Sequence, residues 1–148
     1  MPVRCFAVTV LTMICLGCGP EVVPIAKVKG TIKFKGEPLA DAAVVFAPAK
    51  GRAATGKTDS NGVYTLTTET AGDGAAVGKH DVTVSKMVPP NGMTAEAYAK
   101  LQQSAGAGTM VPPAKSAIPE KYSILGSSTL QANVESGKEN VIDFDLKE

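Results

Sequence analysis

The sequence contains no tryptophan, one histidine and few aromatic residues, which make up 5% of its 148 positions. Few rings are therefore available to stack on nucleic-acid bases or sugars. Basic and acidic residues nearly balance, with 15 Lys+Arg against 14 Asp+Glu, so no basic field would attract nucleic acid. A single histidine also excludes a histidine-based metal cage. We expect no nucleic-acid partner and no cofactor.

Cysteine is missing from the body of the chain, because Cys5, Cys15 and Cys18 all lie in the first eighteen positions. No internal disulfide can therefore form beyond residue 18. The C-L-G-C at residues 15–18 has the C-x-x-C spacing of redox motifs and haem attachment sites. A redox motif would need a preceding strand and a following helix, and a haem site would need histidine after Cys18, where Gly19 stands. Neither condition is met.

The N-terminal pattern is typical of an export signal. Arg4 precedes thirteen uncharged residues, 5–17, which would span only about 20 Å as a helix, short of the ~30 Å apolar core of a bilayer. Leu16, Gly17 and Cys18 resemble the end of a bacterial lipobox, whose cysteine is lipidated after cleavage. We predict a signal peptide at residues 1–17 and a lipid on Cys18 that holds the protein at a membrane of the cell envelope, on its outer-membrane or periplasmic face. An ordinary signal or an uncleaved anchor is the alternative.

After a predicted tether at residues 18–27, apolar and polar residues alternate in short segments, which is typical of half-buried strands. The inward positions predicted from this alternation are Val28, Ile32, Phe34, Val44, Phe46, Tyr64, Leu66, Val82, Val84, Leu130, Ala132, Val134, Ile142, Phe144 and Leu146. Seven short strands separated by turns predict an all-β fold, a seven-stranded antiparallel β-sandwich at residues 28–148. Lys29, Lys33 and Lys35 point outward, and we expect them to protect a sheet edge.

Residues 88–121 interrupt this pattern with five prolines and one helical segment. Thr94 is a suitable N-cap for a helix that ends near Ser104, and Glu96 would lie in its first turn. Long connections inside a compact domain are usually functional or disordered. The insertion is therefore either a mobile loop with a frayed helix or a docked element that covers a sheet edge.

Three motifs carry a family resemblance: V-x-G-T-I-x-F-x-G-x-P-L-A-D-A-x-V-x-F at residues 28–46, G-x-T-D-S-N-G-x-Y-x-L at 56–66 and G-x-H-x-V-T-V at 78–84. With them the chain resembles the carboxypeptidase regulatory-like domain, a transthyretin-like (prealbumin-like) β-sandwich found in small bacterial lipoproteins. The resemblance implies a non-catalytic accessory, binding or structural module. The motif residues Gly36, Pro38, Asp59 and Gly62 are expected to form turns, because Gly accepts positive φ and Asp bonds nearby backbone.

Candidate chemical residues are few. Asp59 and Asn61 with Asp73 are weak candidates for a calcium site, since no glutamate closes the loop at the EF-hand spacing. His80 is the single candidate general base, and we expect it to be exposed or to cap a strand. No nucleophile motif accompanies it, so we predict no catalytic residue and no enzymatic activity. The expected function is binding or scaffolding of a protein or polysaccharide partner; a purely structural envelope protein is the alternative, and a hydrolase or weak calcium-binding module is less favoured.

Overall fold

The computed structural model describes residues 23–106 and 108–148, so the predicted signal peptide and the predicted lipidation site Cys18 lie outside the described residues. The strands are β1 (Ile25–Ala26), β2 (Val28–Phe34), β3 (Glu37–Pro38), β4 (Ala43–Pro48), β5 (Ala54–Lys57), β6 (Val63–Thr65), β7 (Ala75–Ala76), β8 (Gly78–Ser85), β9 (Met87–Val88), β10 (Lys115–Ser116), β11 (Leu130–Val134), β12 (Asn140–Val141) and β13 (Phe144–Leu146). One α-helix, α1 (Ala95–Ser104), and 3-10 turns at Pro90–Gly92 and Glu120–Tyr122 complete the described elements. The predicted all-β class is confirmed.

The first sheet has four antiparallel strands in the order β11-β8-β4-β5. Its strands alternate as predicted, because one face covers the core and the other meets solvent. Val44 and Phe46 of β4 and Val82 and Val84 of β8 are fully buried. The outward residues between them are partly or fully exposed.

The second sheet is built around β2, which pairs with β6 and β3 on one side and with β12 and β13 on the other. The β12 and β13 pairings are parallel, with Asn140 opposite Val28 and Leu146 opposite Phe34. The prediction of a wholly antiparallel arrangement is therefore wrong for these strands. Residues 135–139 carry the chain from the first sheet to the second, so the last strands enter β2's sheet from the opposite layer rather than through a hairpin.

The position of β2 also corrects the expected edge role of its lysines. Since β2 has neighbours on both sides, Lys29 and Lys33 lie on the outer face of the sheet and do not protect an edge, and Lys35 lies in the turn that follows β2. The Lys29 ammonium lies 2.8 Å from the Glu139 carboxylate, and Lys35 pairs with Glu148. Lys33 is the register partner of Asp145. Basic side chains on and beside this outer face therefore lie next to acidic ones.

One apolar core fills the space between the sheets. The ring of Phe46 lies at its centre, 6.1 Å from the Tyr64 ring and 6.2 Å from the Phe144 ring. The Tyr64 hydroxyl donates a 2.6 Å hydrogen bond to the carbonyl of Ile142. Burial, with a smaller effect of the negative Asp143, raises the pKa of Tyr64, so this hydroxyl remains a neutral donor.

Gly30 makes room for that hydrogen bond. A Cβ at Gly30 would lie 1.7 Å from the Ile142 oxygen and 2.9 Å from the Tyr64 hydroxyl. No side chain can occupy this position without moving β2 away from the last strands. The glycine of the V-x-G motif is therefore a packing residue.

The folded body begins earlier than expected. β1 pairs with β7, and the Val77 N–H donates a 2.8 Å hydrogen bond to the Pro24 carbonyl. Residues 24–27, assigned above to the tether, are thus part of the fold. The prediction missed them because a proline followed by a two-residue strand is too short a segment to show an alternating apolar and polar pattern.

The insertion is docked at its foot and exposed at its helix. β9 pairs with β10, and Ile118 and Tyr122 are buried in the core. α1 begins after Thr94, whose side chain accepts a hydrogen bond from Ala97 N–H, and the helix buries none of its residues. Among the described residues no helix combines the length and apolar character needed to cross a bilayer.

Candidate functional site

A groove of about 450 Å³ lies on the outer face of the four-stranded sheet. It crosses the end of β4, the start of β8 and the edge strand β11, and Leu125 forms one wall. Its lining residues are Ala47, Pro48, Ala49, Lys79, His80, Asp81, Leu125, Gln131, Ala132 and Asn133. Because successive side chains point to opposite faces of a strand, the outward residues contribute their side chains to this lining and the inward residues contribute backbone.

The strand register sets the outward side chains in rows. Asp81 lies between Ala47 on β4 and Gln131 on β11, and Lys79 lies opposite Asn133. Ala47 has only a methyl group, so the floor beside Asp81 is open. Polar side chains thus stand on one side of a small apolar floor, as in many binding sites for small polar groups.

The charged side chains of this groove form no ion pairs within the described part of the chain. Neither Lys79 nor Asp81 makes an ion pair among residues 23–106 and 108–148. The Asp81 carboxylate receives one long contact, 3.4 Å from the Gln131 side-chain nitrogen. A cation and an anion on one strand, two residues apart, remain available to a ligand with both signs of charge.

His80 belongs to the other face of β8 and is 2% exposed, so the expectation of an exposed histidine is wrong. Its Nε2 lies 2.6 Å from the Ala76 carbonyl, and its ring lies 5.6 Å from that of Phe46. Nδ1 is buried without a hydrogen-bond partner among the described atoms. Period two places residue 80 inward with Val82 and Val84, a signal outweighed in the prediction by histidine's usual surface location. The imidazole contacts no hydroxyl or carboxylate in the described structure, and a general-base role has no support from this geometry.

Two of the three weak calcium candidates, Asp59 and Asp73, accept hydrogen bonds from backbone N–H groups. Asp59 Oδ1 accepts hydrogen bonds from the N–H groups of Asn61 and Val63 at 2.8 and 2.9 Å. The Asp73 carboxylate accepts from the N–H groups of residues 68, 69 and 70, and these bonds hold its pKa below the ordinary value. No group of three or more His, Cys, Asp or Glu side chains suited to a metal occurs in the described residues.

Of the remaining motif residues, Gly36 and Gly62 lie in turns, whereas Pro38, also expected in a turn, lies in strand β3. Gly36, with φ +83°, follows Lys35, with φ +56°, in a two-residue link between β2 and β3, where Pro38 pairs with Lys33. Positive φ at both central positions is the geometry of a type I′ hairpin turn. Gly62 has φ +75°, and a Cβ there would lie 2.6 Å from the Ile32 carbonyl oxygen.

A second depression, of about 660 Å³, lies at the foot of the insertion. Its lining includes exposed Met87 and Ile124, beside Lys115 and Glu120. These residues come from the two-residue strands β9 and β10 and from the segment that follows them, whereas the groove is formed mainly by the longer paired strands β4, β8 and β11. The groove is the better candidate, because sites on rigid elements hold their polar groups in place.

Apart from His80, the groove residues were not singled out from the sequence. The alternation assigns Lys79, Asp81, Gln131 and Asn133 to outward faces, but it does not predict that β11 pairs with β8. That pairing, across a separation of about fifty residues, is what brings them together. Comparison with known proteins adds no assignment: no family model matches the chain, and neither a curated protein nor a solved structure matches it.

Proposed function

We propose that this protein is a non-catalytic lipoprotein, held at a cell-envelope membrane by a lipid on Cys18, which binds or scaffolds a partner through the groove on its four-stranded sheet. The groove carries the proposal. It combines an open floor at Ala47 with Lys79 and Asp81, which form no ion pair within the described part of the chain, on paired strands. Its lining includes no hydroxyl or thiol side chain that could act as a nucleophile.

The favoured partner is a segment of an envelope protein. Lys79 and Asp81 suit a ligand that carries both charges, and Gln131 and Asn133 can donate to and accept from backbone groups. A polysaccharide is the second partner class, since amides and carboxylates also bind sugar hydroxyls. No aromatic side chain lines the groove to stack on a sugar ring, which favours the protein segment.

For the fold we propose the transthyretin-like sandwich of carboxypeptidase regulatory-like domains. Support comes from two packed sheets, from the turns at Gly36 and Asp59 to Gly62, and from the packing role of Gly30, all within the motifs that carry the resemblance. The fold by itself assigns no activity.

The experiment is capture with the full lipidated chain, purified from membranes in detergent. Wild type, Ala47→Arg, Asp81→Asn and the control Asp145→Asn would be titrated against envelope proteins and, separately, isolated wall polysaccharide. Asp145 is an exposed aspartate on the outer face of the other sheet. Ala47→Arg fills the groove, so we expect loss of binding; Asp81→Asn should weaken it about tenfold, because hydrogen bonds to charged groups contribute most.

Saturable binding that survives Ala47→Arg, or that Asp145→Asn weakens equally, would place the partner elsewhere. If neither extract gives saturable binding, the alternative of a structural envelope protein without a discrete ligand is favoured. Binding of polysaccharide alone, with the same sensitivity to Ala47→Arg, would retain the groove and change the partner class.

A further inference from the structure

The end of the domain at which the described residues begin is close in sequence to Cys18, the proposed lipid anchor. Four residues, 19–22, separate Cys18 from Val23, and the five steps from one Cα to the next can span no more than about 18 Å. From Pro24 onward the chain is bonded into the body through β1 and β7. A lipid on Cys18 would therefore hold this pole close to the bilayer surface.

The residues of this pole can be identified from their contacts. Ile25, Lys27 and Lys138 line a common depression of about 300 Å³. The Asn140 amide bridges the backbone there, donating to the carbonyls of Lys27 and Lys138. A Cβ on Gly51 would lie 3.5 Å from the Val23 side chain. We call Ile25, Lys27, Gly51 and Lys138 the anchor pole.

The chemistry of the anchor pole suits lipid headgroups. Ile25 is 42% exposed, although it is a large apolar residue. Lys138 and Lys29 are paired with Glu135 and Glu139, each at 2.8 Å, whereas Lys27 has no ion pair among the described residues. An apolar side chain beside an unpaired ammonium is the combination that binds at the boundary between acyl chains and anionic headgroups.

We infer that the anchor pole contacts the lipid headgroups directly and so fixes the orientation of the domain on the membrane. The inference rests on the proposed lipidation of Cys18. β8 starts beside β7 at this pole and runs for eight residues, about 25 Å, before the insertion leaves from its far end. The insertion is then presented away from the bilayer, and the groove, which includes Lys79 near the start of β8, lies close to it.

Quenching by brominated lipids tests the orientation, because the chain has no tryptophan and one introduced indole is the sole reporter. The full lipidated chain, with Ile25→Trp or with the control Met110→Trp, would be reconstituted in vesicles. Met110 lies in the insertion and is 95% exposed. We expect several-fold stronger quenching at position 25, and equal quenching at both would overturn the orientation.

Three further measurements separate this inference from the anchor itself. Flotation of the wild type with vesicles tests lipidation: a chain that does not float overturns the anchor and the orientation together. A nitroxide on Lys138→Cys, which does not alter β1, should be more accessible to oxygen than to a water-soluble nickel complex. In vesicles with anionic lipid, adding Lys27→Glu to the Ile25→Trp chain should reduce the quenching at position 25 about fivefold. Adding Lys100→Glu, which lies on α1, should not reduce it. Equal effects of these two charge reversals would contradict contact at this pole.

Discussion

The two-sheet body and the insertion at residues 88–121 are held by different amounts of buried structure. In the body, Gly30, Tyr64 and Ile142 interlock with no space for another atom. In the insertion, α1 buries nothing and is linked to the rest of its segment through Tyr98, whose hydroxyl bonds Pro112 and Ala114. The difference indicates that the folding free energy is concentrated in the body, while the helix-bearing part of the insertion can change at small cost.

The largest effect is expected at Gly30. Gly30→Ala places a Cβ against the Ile142 carbonyl and should lower the free energy of unfolding by more than about 3 kcal/mol or prevent folding, because overpacked backbone cannot relax. Chemical denaturation measures it. Gly106→Ala is the matched control, because a Cβ there meets nothing within 4 Å; equal losses at both positions would remove the distinction between body and insertion.

Asn140 is expected to come next. Its buried side chain accepts from Glu135 N–H and donates to the carbonyls of Lys27, Glu135 and Lys138. Asn140→Asp should cost about 3 kcal/mol near pH 7, because a carboxylate would face three carbonyl oxygens. Because the carbonyl oxygens raise the pKa of the introduced carboxyl in the folded state, the loss should shrink as pH falls through that raised pKa and should be smallest below about pH 4, where the carboxyl is protonated in the unfolded chain as well. Asn133→Asp, on an exposed side chain, is the control in the same denaturation series; a similar loss there would contradict the argument.

Tyr122 tests the junction between the two regions. Its hydroxyl donates to the Lys147 carbonyl and accepts from the Lys147 N–H, at 3.0 and 3.1 Å. Tyr122→Phe keeps the ring and should lower the free energy of unfolding by about 1–2 kcal/mol. Tyr98→Phe removes the equivalent pair of bonds inside the insertion and should change global stability by less than about 0.5 kcal/mol while increasing hydrogen exchange at Ala114. Reversed magnitudes would show that the insertion contributes to the core.

Deletion of the helix should have a smaller effect. Val88 and Lys115 are register partners, so residues 89–114 can be replaced by Asn-Gly as a two-residue hairpin turn. We expect a change within about 1 kcal/mol, since no buried side chain is lost and the loop becomes shorter. A thermal melt measures this, and a loss of several kcal/mol would mean that the helix is docked.

The smallest effect is expected at Asp73, in a turn of the body. Its folded pKa is lowered by the backbone hydrogen bonds from Thr68, Thr70 and Glu69, so its contribution is present above about pH 4 and is lost as pH falls through the lowered value. Asp73→Asn should reduce the melting temperature slightly at neutral pH. The difference from wild type should disappear in acid; a difference that grows in acid would have the wrong sign.

How much of the structure could be predicted from the sequence depended on whether a feature arises from residues close together in the chain or far apart. The alternation placed Val28, Val44 and Val82 in the core, and Thr94 marked the start of α1, because both signals are local. The central position of β2, the parallel pairing with β13 and the groove depended on contacts between distant segments. His80 was misjudged because residue type was given more weight than its position in the alternation.

The sequence by itself determined which residues are strand-forming, which face of each strand is apolar and where the turns lie, since side-chain period, glycine and Asx chemistry act over a few residues. Tertiary structure alone decided which strands are neighbours. The alternation of Lys79, Asp81, Gln131 and Asn133 is the same whether or not β8 pairs with β11, and only that pairing places the four side chains at one groove. Strand pairing depends on how two apolar faces close over a common core, and this is a property of the whole chain.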